Sequence, residues 1–262
     1  MIPSTLFSTF SDVIFNDGDH SYINQLTNKK YTSVTTVIHE YETPFDDSVW
    51  LAIKAKEYNV SIDSVDYAWT FLNELSTYKG SAIHNFIEQY YFNKTHVYPQ
   101  NEIISNFGYD PVFKDYEYIK KNQFLEFANI SRNKLIPIKP EMIVYDNDYM
   151  ISGMLDMIFY NVKKGMLEIW DWKTNKKLNT QNRFQNMKKV LSHLDQCEIN
   201  TYSLQLHTYK HIIEKNTGIK FSDDCYIVWF FEGNKSYEII KTKDMTYEVE
   251  IMIENFVSKK VS

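Results

Sequence analysis

Cysteine is nearly missing from this 262-residue chain, which has only Cys197 and Cys225. Two thiols cannot build a disulfide framework or supply the four thiolates of a structural zinc or iron–sulfur centre. Such usage suits a reducing interior and points to a cytoplasmic setting. Arginine is equally scarce, with Arg132 and Arg183 the two arginines among 28 basic residues. Seven glycines and six prolines are roughly half of average usage or less, which rules out collagen-like and linker-rich architectures. No segment approaches the roughly eighteen uninterrupted apolar residues of a membrane span, so no membrane partner is expected. The first residues, MIPSTLFSTFSDVIF, lack a basic segment followed by a continuous apolar run and do not read as a secretory signal. A positive balance is missing too: 28 basic against 34 acidic residues leave a net charge of −6, a first argument against a polyanionic partner.

What is plentiful is core material, 44% apolar residues with 16% aromatic. One large domain with an added lobe accommodates this length. Around residues 20–38, β-branched and aromatic residues flank a Thr-Asn-Lys-Lys turn, the pattern of a hairpin. From Asp46 to Tyr91 the apolar spacing lengthens to three and four residues, giving helices, with Gly80 separating one run from the next. A further helix is expected over Asp115 to Phe127. Between about Glu141 and Lys173, strand-rich runs alternate with the turn clusters Asp-Asn-Asp and Asn-Val-Lys-Lys-Gly, which predicts a three-stranded antiparallel meander. A helix from about Thr201 to Asn216 stopped by Gly218, a buried strand over Cys225 to Gly233, a strand near Glu238 to Thr242 and a helix from about Met245 complete an αβββαβ order. The fold class is α/β, or mixed α+β: a central mixed sheet flanked by helices.

The chemistry gathers on the meander. Strand alternation puts Asp171 and Lys173 of EIWDWKTNK on one face and Trp170 and Trp172 on the other. Asp156 lies on the preceding strand, and the short turn between them brings both acids to one end of the hairpin. Alone, this could be an ordinary cross-strand salt bridge. An ionised acid after an interior run is costly, however, unless it is paired or holds a cation, and two carboxylates beside a lysine suit a hard cation such as Mg²⁺ or Mn²⁺. Gly153 suggests a close approach or a bulge. His84, early in its helix, offers an imidazole, and Glu88 one turn later shares its face, a weaker ligand candidate that reads first as a solvated helix charge. Gln205 and Tyr209 are spaced i, i+4 and share a helix face, either as the polar side of an amphipathic helix or as a phosphate contact. From Trp172 through Val190 there is no acid, but there are Lys173, Lys176, Lys177, Arg183, Lys188 and Lys189, with Asn175, Asn179, Gln181, Asn182, Gln185 and Asn186 among them. A basic strip beside an acidic site suits a polyanionic substrate.

In order along the chain, GSAIH (Gly80 to His84), GMLD (Gly153 to Asp156), DWKTN (Asp171 to Asn175) and QLHTY (Gln205 to Tyr209) resemble the motifs of the PD-(D/E)XK nuclease superfamily, in its RecB-like branch. The likeness covers about half the chain. The N-terminal hairpin and its Ser-Val-Thr-Thr segment resemble, less specifically, those of phage exonucleases and the mitochondrial genome-maintenance exonuclease. The resemblance implies a nuclease core over residues 80–262 behind a hairpin and helical addition over residues 1–79. It implies a Mg²⁺ ion, replaceable by Mn²⁺, held by His84, Asp156, Asp171 and the Trp172 carbonyl. Catalysis would rest on Asp156, Asp171 and Lys173, with Lys173 polarising the attacking water. DNA would be contacted by Gln205, Tyr209, Lys176, Lys177 and Arg183. Asp171 stands where many relatives carry Glu, a shorter reach. The cysteine-ligated iron–sulfur cluster of some relatives is not expected here.

The activity so implied is metal-dependent DNA exonuclease action leaving 5′-phosphates, in replication, recombination or end processing, of phage or viral origin and acting in a host cytoplasm. DNA, single-stranded or with free ends, is the expected partner, with a recombination or replication protein as a second one. An endonuclease of the same fold and a non-catalytic DNA-binding module are the alternatives. Lys173→Ala or Asp171→Ala is expected to abolish cleavage while leaving the fold intact.

Overall fold

The structure, a computed structural model, describes residues 5–16 and 18–261. A short helix, α1 (Thr5–Ser8), leads into three strands, β1 (Val13–Asn16), β2 (Ser21–Asn24) and β3 (Lys30–Ser33). The hairpin expected from the sequence is β2–β3, in register at Tyr22↔Tyr31, and β1 extends it on the other side of β2. Helices α2 (Val34–His39), α3 (Asp47–Tyr58), α4 (Ile62–Tyr91), α5 (Gln100–Phe107), α6 (Phe113–Ile119) and α7 (Leu125–Ser131) follow, the last two joined by a π-helical turn over Lys120–Phe124. The expected meander is β4 (Leu135–Asp146), β5 (Ile151–Asn161) and β6 (Met166–Lys173). After a long loop come α8 (Glu198–Thr217), β7 (Tyr226–Trp229), β8 (Glu238–Lys241) and α9 (Thr246–Val261). Gly218, at φ 70°, caps α8 as its position in the sequence suggests.

Two boundaries differ from the sequence reading. Gly80 does not separate two helices: α4 runs unbroken through it. A helical glycine costs only about 1 kcal/mol against alanine, less than the packing of a long amphipathic face returns. Its use is close approach, since a Cβ there would lie 3.3 Å from the Thr174 hydroxyl just beyond β6. The expected strand over Cys225 to Gly233 is shorter and ends at Trp229, after which residues 232–235 turn back toward β8.

The strands form one eight-stranded mixed sheet in the order β1-β2-β3-β5-β6-β7-β8, with β4 on the other edge of β5. Through β3, which runs parallel to β5, the N-terminal hairpin shares the sheet of the meander, and α4 runs across residues 79 and 80. Two apolar clusters cover the sheet. One joins Leu167, Ile169 and Ile227 to Leu204, Leu206 and Ile212 of α8 and to Val249 and Met252 of α9. The other packs Trp170 and Trp172 against Ile83, Phe86 and Ile87 of α4 and Phe124 and Phe127 of the α6–α7 segment. The alternation read from EIWDWK therefore holds, with tryptophans to one layer and Asp171 and Lys173 to the other. No helix among the described residues is long and apolar enough to cross a membrane.

Candidate active site

The site arises from how β5 is partnered. One of its edges pairs with β4 along its length; the other pairs with β3 at Ile151 and Ser152 and with β6 from Met157 onward. Residues 153–156 fall in the fork between β3 and β6, and side chains fill it. Asp156 Oδ2 accepts the Trp172 backbone N–H at 2.7 Å, so a carboxylate takes over where strand pairing stops. The Tyr209 ring lies against Gly153 so closely that a Cβ there would be 2.4 Å from its Cε1. That is the close approach Gly153 suggested.

Three carboxylates line up across this fork. Glu141 sits between the pairs Pro140↔Met157 and Met142↔Leu155, which puts it opposite Asp156. Continuing the β5–β6 register past Met157↔Trp170 puts Asp171 opposite Asp156 on its other side. Cross-strand neighbours share a face and stand about 5 Å apart, so the acids form a row over three adjacent strands. His84 of α4 closes it. Its Nδ1 is 3.6 Å from Asp156 Oδ2 and its Nε2, in the tautomer protonated there, donates to the Trp172 carbonyl at 3.1 Å. Donor atoms of His84, Glu141 and Asp156 all lie within 4.8 Å of one another. Glu141 holds its place with φ at 45°, a left-handed backbone uncommon outside glycine and often found at functional sites.

The electrostatics of the row are unbalanced. Burial, then the charges of Asp156, Glu88 and Asp171, pushes the Glu141 carboxyl up to about 9. Burial and Asp156 raise Asp171 as well, against the pull of Lys173. Lys173 Nζ is 2.7 Å from Asp171 Oδ2. Burial alone would make Lys173 less basic, but the Asp171 and Asp156 carboxylates outweigh it and hold its pKa above the ordinary lysine value. Four carboxylates thus face one ammonium and one imidazole, an arrangement that is costly in a low-dielectric site without a further cation. Clustered oxygen donors with one imidazole are chemistry that fits a hard divalent ion such as Mg²⁺ or Mn²⁺.

Of the residues singled out in the sequence, His84, Asp156, Asp171, Trp172 and Lys173 come together. Gln205 and Tyr209 stand behind them: Gln205 Nε2 donates to the Tyr209 hydroxyl at 2.9 Å, and Tyr209 is only 2% exposed, so it supports the fork from inside. Lys176, Lys177 and Arg183 are exposed on the loop that follows β6. Several amides of that loop are spent on its own structure. Asn179 donates to Glu198, Asn182 to the Gln196 carbonyl and Asn186 to the Ser192 carbonyl. Lys189 pairs with Glu40 at 3.4 Å.

Two residues escaped the sequence reading and a third, Glu88, was ranked too low: it is half-buried, and its charge reaches Glu141 and helps raise that carboxyl. Glu141 was legible in principle, as the mirror of Asp156 across the Asp146–Met150 turn. Tyr202, on α8 one turn before Gln205, lays its ring 4.4 Å from Lys173 Nζ.

No protein-family model matches the chain, and no curated protein is similar to it. Among solved structures, the chain is similar to an Eubacterium rectale protein provisionally described as an exonuclease, at 13% identity and a TM-score of 0.44 over 71% of this chain. That alignment spans 66% of the bacterial chain, just under two thirds of its length. A protein named SSO0001 aligns at 11% identity and a TM-score of 0.28 over 61% of this chain and 69% of its own.

Proposed function

We propose that this protein is a metal-dependent deoxyribonuclease of the PD-(D/E)XK superfamily, RecB-like branch. It acts as an exonuclease in DNA replication, recombination or end processing, hydrolysing phosphodiester bonds to leave 5′-phosphates. The observation that carries this reading is the lateral row Glu141, Asp156 and Asp171, closed by His84 and flanked by Lys173.

Asp156, Asp171, His84 and the Trp172 carbonyl would hold the ion, with Glu141 as a further carboxylate. A divalent ion there supplies Lewis-acid polarisation of a phosphate oxygen and acidification of water. The chain's own groups do the remaining work. Lys173 keeps its proton because two carboxylates outweigh its burial, so it presents a fixed N–H donor to a phosphate oxygen or to the attacking water. The Tyr202 ring beneath it and the Asp171 carboxylate restrict where Nζ can point. Gln205 and Tyr209 brace β5 at Gly153 and so hold Asp156 in register. Lys176, Lys177 and Arg183 receive the phosphates of the bound strand.

The test is hydrolysis of 5′- and 3′-labelled single- and double-stranded DNA beside a covalently closed circle, with Mg²⁺ or EDTA. Release of acid-soluble 5′-nucleotides from ends, with the circle intact, supports an exonuclease. Cleavage of the circle assigns an endonuclease of the same fold. DNA binding without hydrolysis in Mg²⁺ or Mn²⁺ would refute the enzymatic reading and leave a binding module.

A further inference from the structure

Beyond the acid row, the loop between β6 and α8 displays a feature the proposed chemistry does not use. Phe184 is 100% exposed, more than any other large apolar side chain among the described residues. Single exposed apolar residues are ordinary; one held rigidly in full exposure within a cationic strip is not. The backbone around Phe184 is fixed. The Asn182 side chain accepts the Phe184 N–H at 3.1 Å and donates to the Gln196 carbonyl at 2.8 Å, while the Gln196 N–H returns a bond to the Gln185 carbonyl at 2.9 Å. Gln196 is clamped in turn to the main chain of Thr43 on both its amide atoms, at 2.7 and 2.9 Å. The turn is therefore pinned to the body of the protein on both flanks.

Its surroundings select the partner. Arg183 is adjacent and exposed, and the strip from Trp172 to Val190 carries no acid. The acids below the turn are engaged: Asp195 accepts the Asn182 N–H and Glu198 accepts from Asn179. The same strip begins at Lys173, which lies over Tyr202 of α8, and touches α8 again at Asn179, which donates to Glu198. Along the chain the cations Lys173, Lys176, Lys177 and Arg183 lead from the acid row to Phe184, so a strand whose phosphates follow them outward would reach the ring. An apolar aromatic face beside cations is the chemistry of base stacking, and stacking needs a base whose face is free.

We infer that Phe184 is a stacking platform for an unpaired base of single-stranded DNA, positioning the strand that enters the acid row. This rests on the nuclease reading and adds to it a preference for unpaired strand. The test is binding of fluorescein-labelled oligo(dT) in EDTA to the wild-type protein, Phe184→Ala and Phe184→Trp. Parallel measurements use an oligonucleotide of the same length with contiguous abasic residues and a duplex closed by hairpins at both ends. Stacking of one base lost to alanine weakens binding about 5-fold to 150-fold. We expect that loss for Phe184→Ala on oligo(dT), recovery in Phe184→Trp, equal binding of wild type and Phe184→Ala to the abasic strand, and no change on the closed duplex. An unaltered melting temperature shows that the variant is folded. Equal binding of oligo(dT) by wild type and Phe184→Ala overturns the inference while leaving the nuclease reading intact. An equal loss on the closed duplex overturns it as well, as does a change in self-association without a change in DNA binding. A wild-type protein that neither binds nor cleaves DNA overturns both readings.

Discussion

Replacing Gly153 with alanine tests whether the fork in the sheet is built as described. The new Cβ would meet Tyr209 Cε1 at 2.4 Å and its Cζ and hydroxyl oxygen at 3.1 Å. Carbon atoms in ordinary contact stand about 3.5–4.0 Å apart, so something must move by about 1 Å. The backbone cannot yield easily, because Gly153 is paired to Val144 within the longest pairing of the sheet, with pairs on both sides of it. The ring is equally confined, being buried and holding the Gln205 amide. Overpacking costs about 1–3 kcal/mol, and two confined partners place this case in the upper half of that range. For a chain of this size each kcal/mol lowers Tm by about 2–4 °C, so Gly153→Ala should melt roughly 4–12 °C below wild type. The assay is a double-mutant cycle by thermal or urea unfolding with Tyr209→Ala, which supplies the missing space. The double variant should lose clearly less than the sum of the single losses. A Gly153→Ala protein melting with wild type, or losses that simply add, would refute the claim that the ring fills the fork.

With its carboxyl pushed up to about 9, Glu141 must take up a proton on folding at neutral pH, a cost that Glu141→Gln does not carry, so without divalent ions the variant should melt above wild type, and the rise in Tm expected from Mg²⁺ should shrink. Lys173→Ala should lower cleavage at least about 100-fold, as loss of one preorganised donor does, measured under single-turnover conditions. Asp171→Ala, by contrast, should not leave the fold intact: it strands the Lys173 ammonium, and breaking a buried pair costs about 3–5 kcal/mol, readable in urea unfolding, with Asp171→Asn the milder variant. Asp224 accepts from Lys164 and is also paired with Lys241, which holds its carboxyl down to about 2. A depressed carboxylate stabilises above its unfolded pKa near 4 and loses that contribution as pH falls toward 2, so Asp224→Asn should cost about 1–2 kcal/mol at pH 7 and progressively less between pH 4 and 2.

How far the sequence could be read depended on whether the deciding contacts were local. The meander was legible because its turns and β-branched runs are neighbours in the chain. Asp156, Asp171 and Lys173 followed from strand alternation across one short turn. Gly80 misled because the packing of the long amphipathic face overrules one helical glycine, and the glycine there serves a close approach to Thr174, far along the chain. Glu88 misled in the same way, since exposure of a helix charge depends on what the rest of the chain brings near it, and Glu141 lies within reach of its charge. Glu141 was missed for a different reason. Its own surroundings, Lys-Pro-Glu-Met, carry no motif, and its role appears only once β4 is registered against β5.

Whole-chain charge was the weakest guide, for a reason the site makes explicit. A net charge of −6 is a sum over the entire surface, whereas a phosphodiester bound as proposed would meet only the few groups around the fork. There the acids are concentrated beyond what Lys173 and His84 can neutralise, and the next stretch of chain carries cations and no acid. These two local imbalances have opposite sign and are covalently adjacent, joined at Lys173. An ion drawn to the first would reduce the repulsion that the row would otherwise direct at a phosphate, while the second attracts the same strand. The acidic balance that argued against a polyanionic partner is therefore, in part, the charge that would hold the cation needed to hydrolyse one.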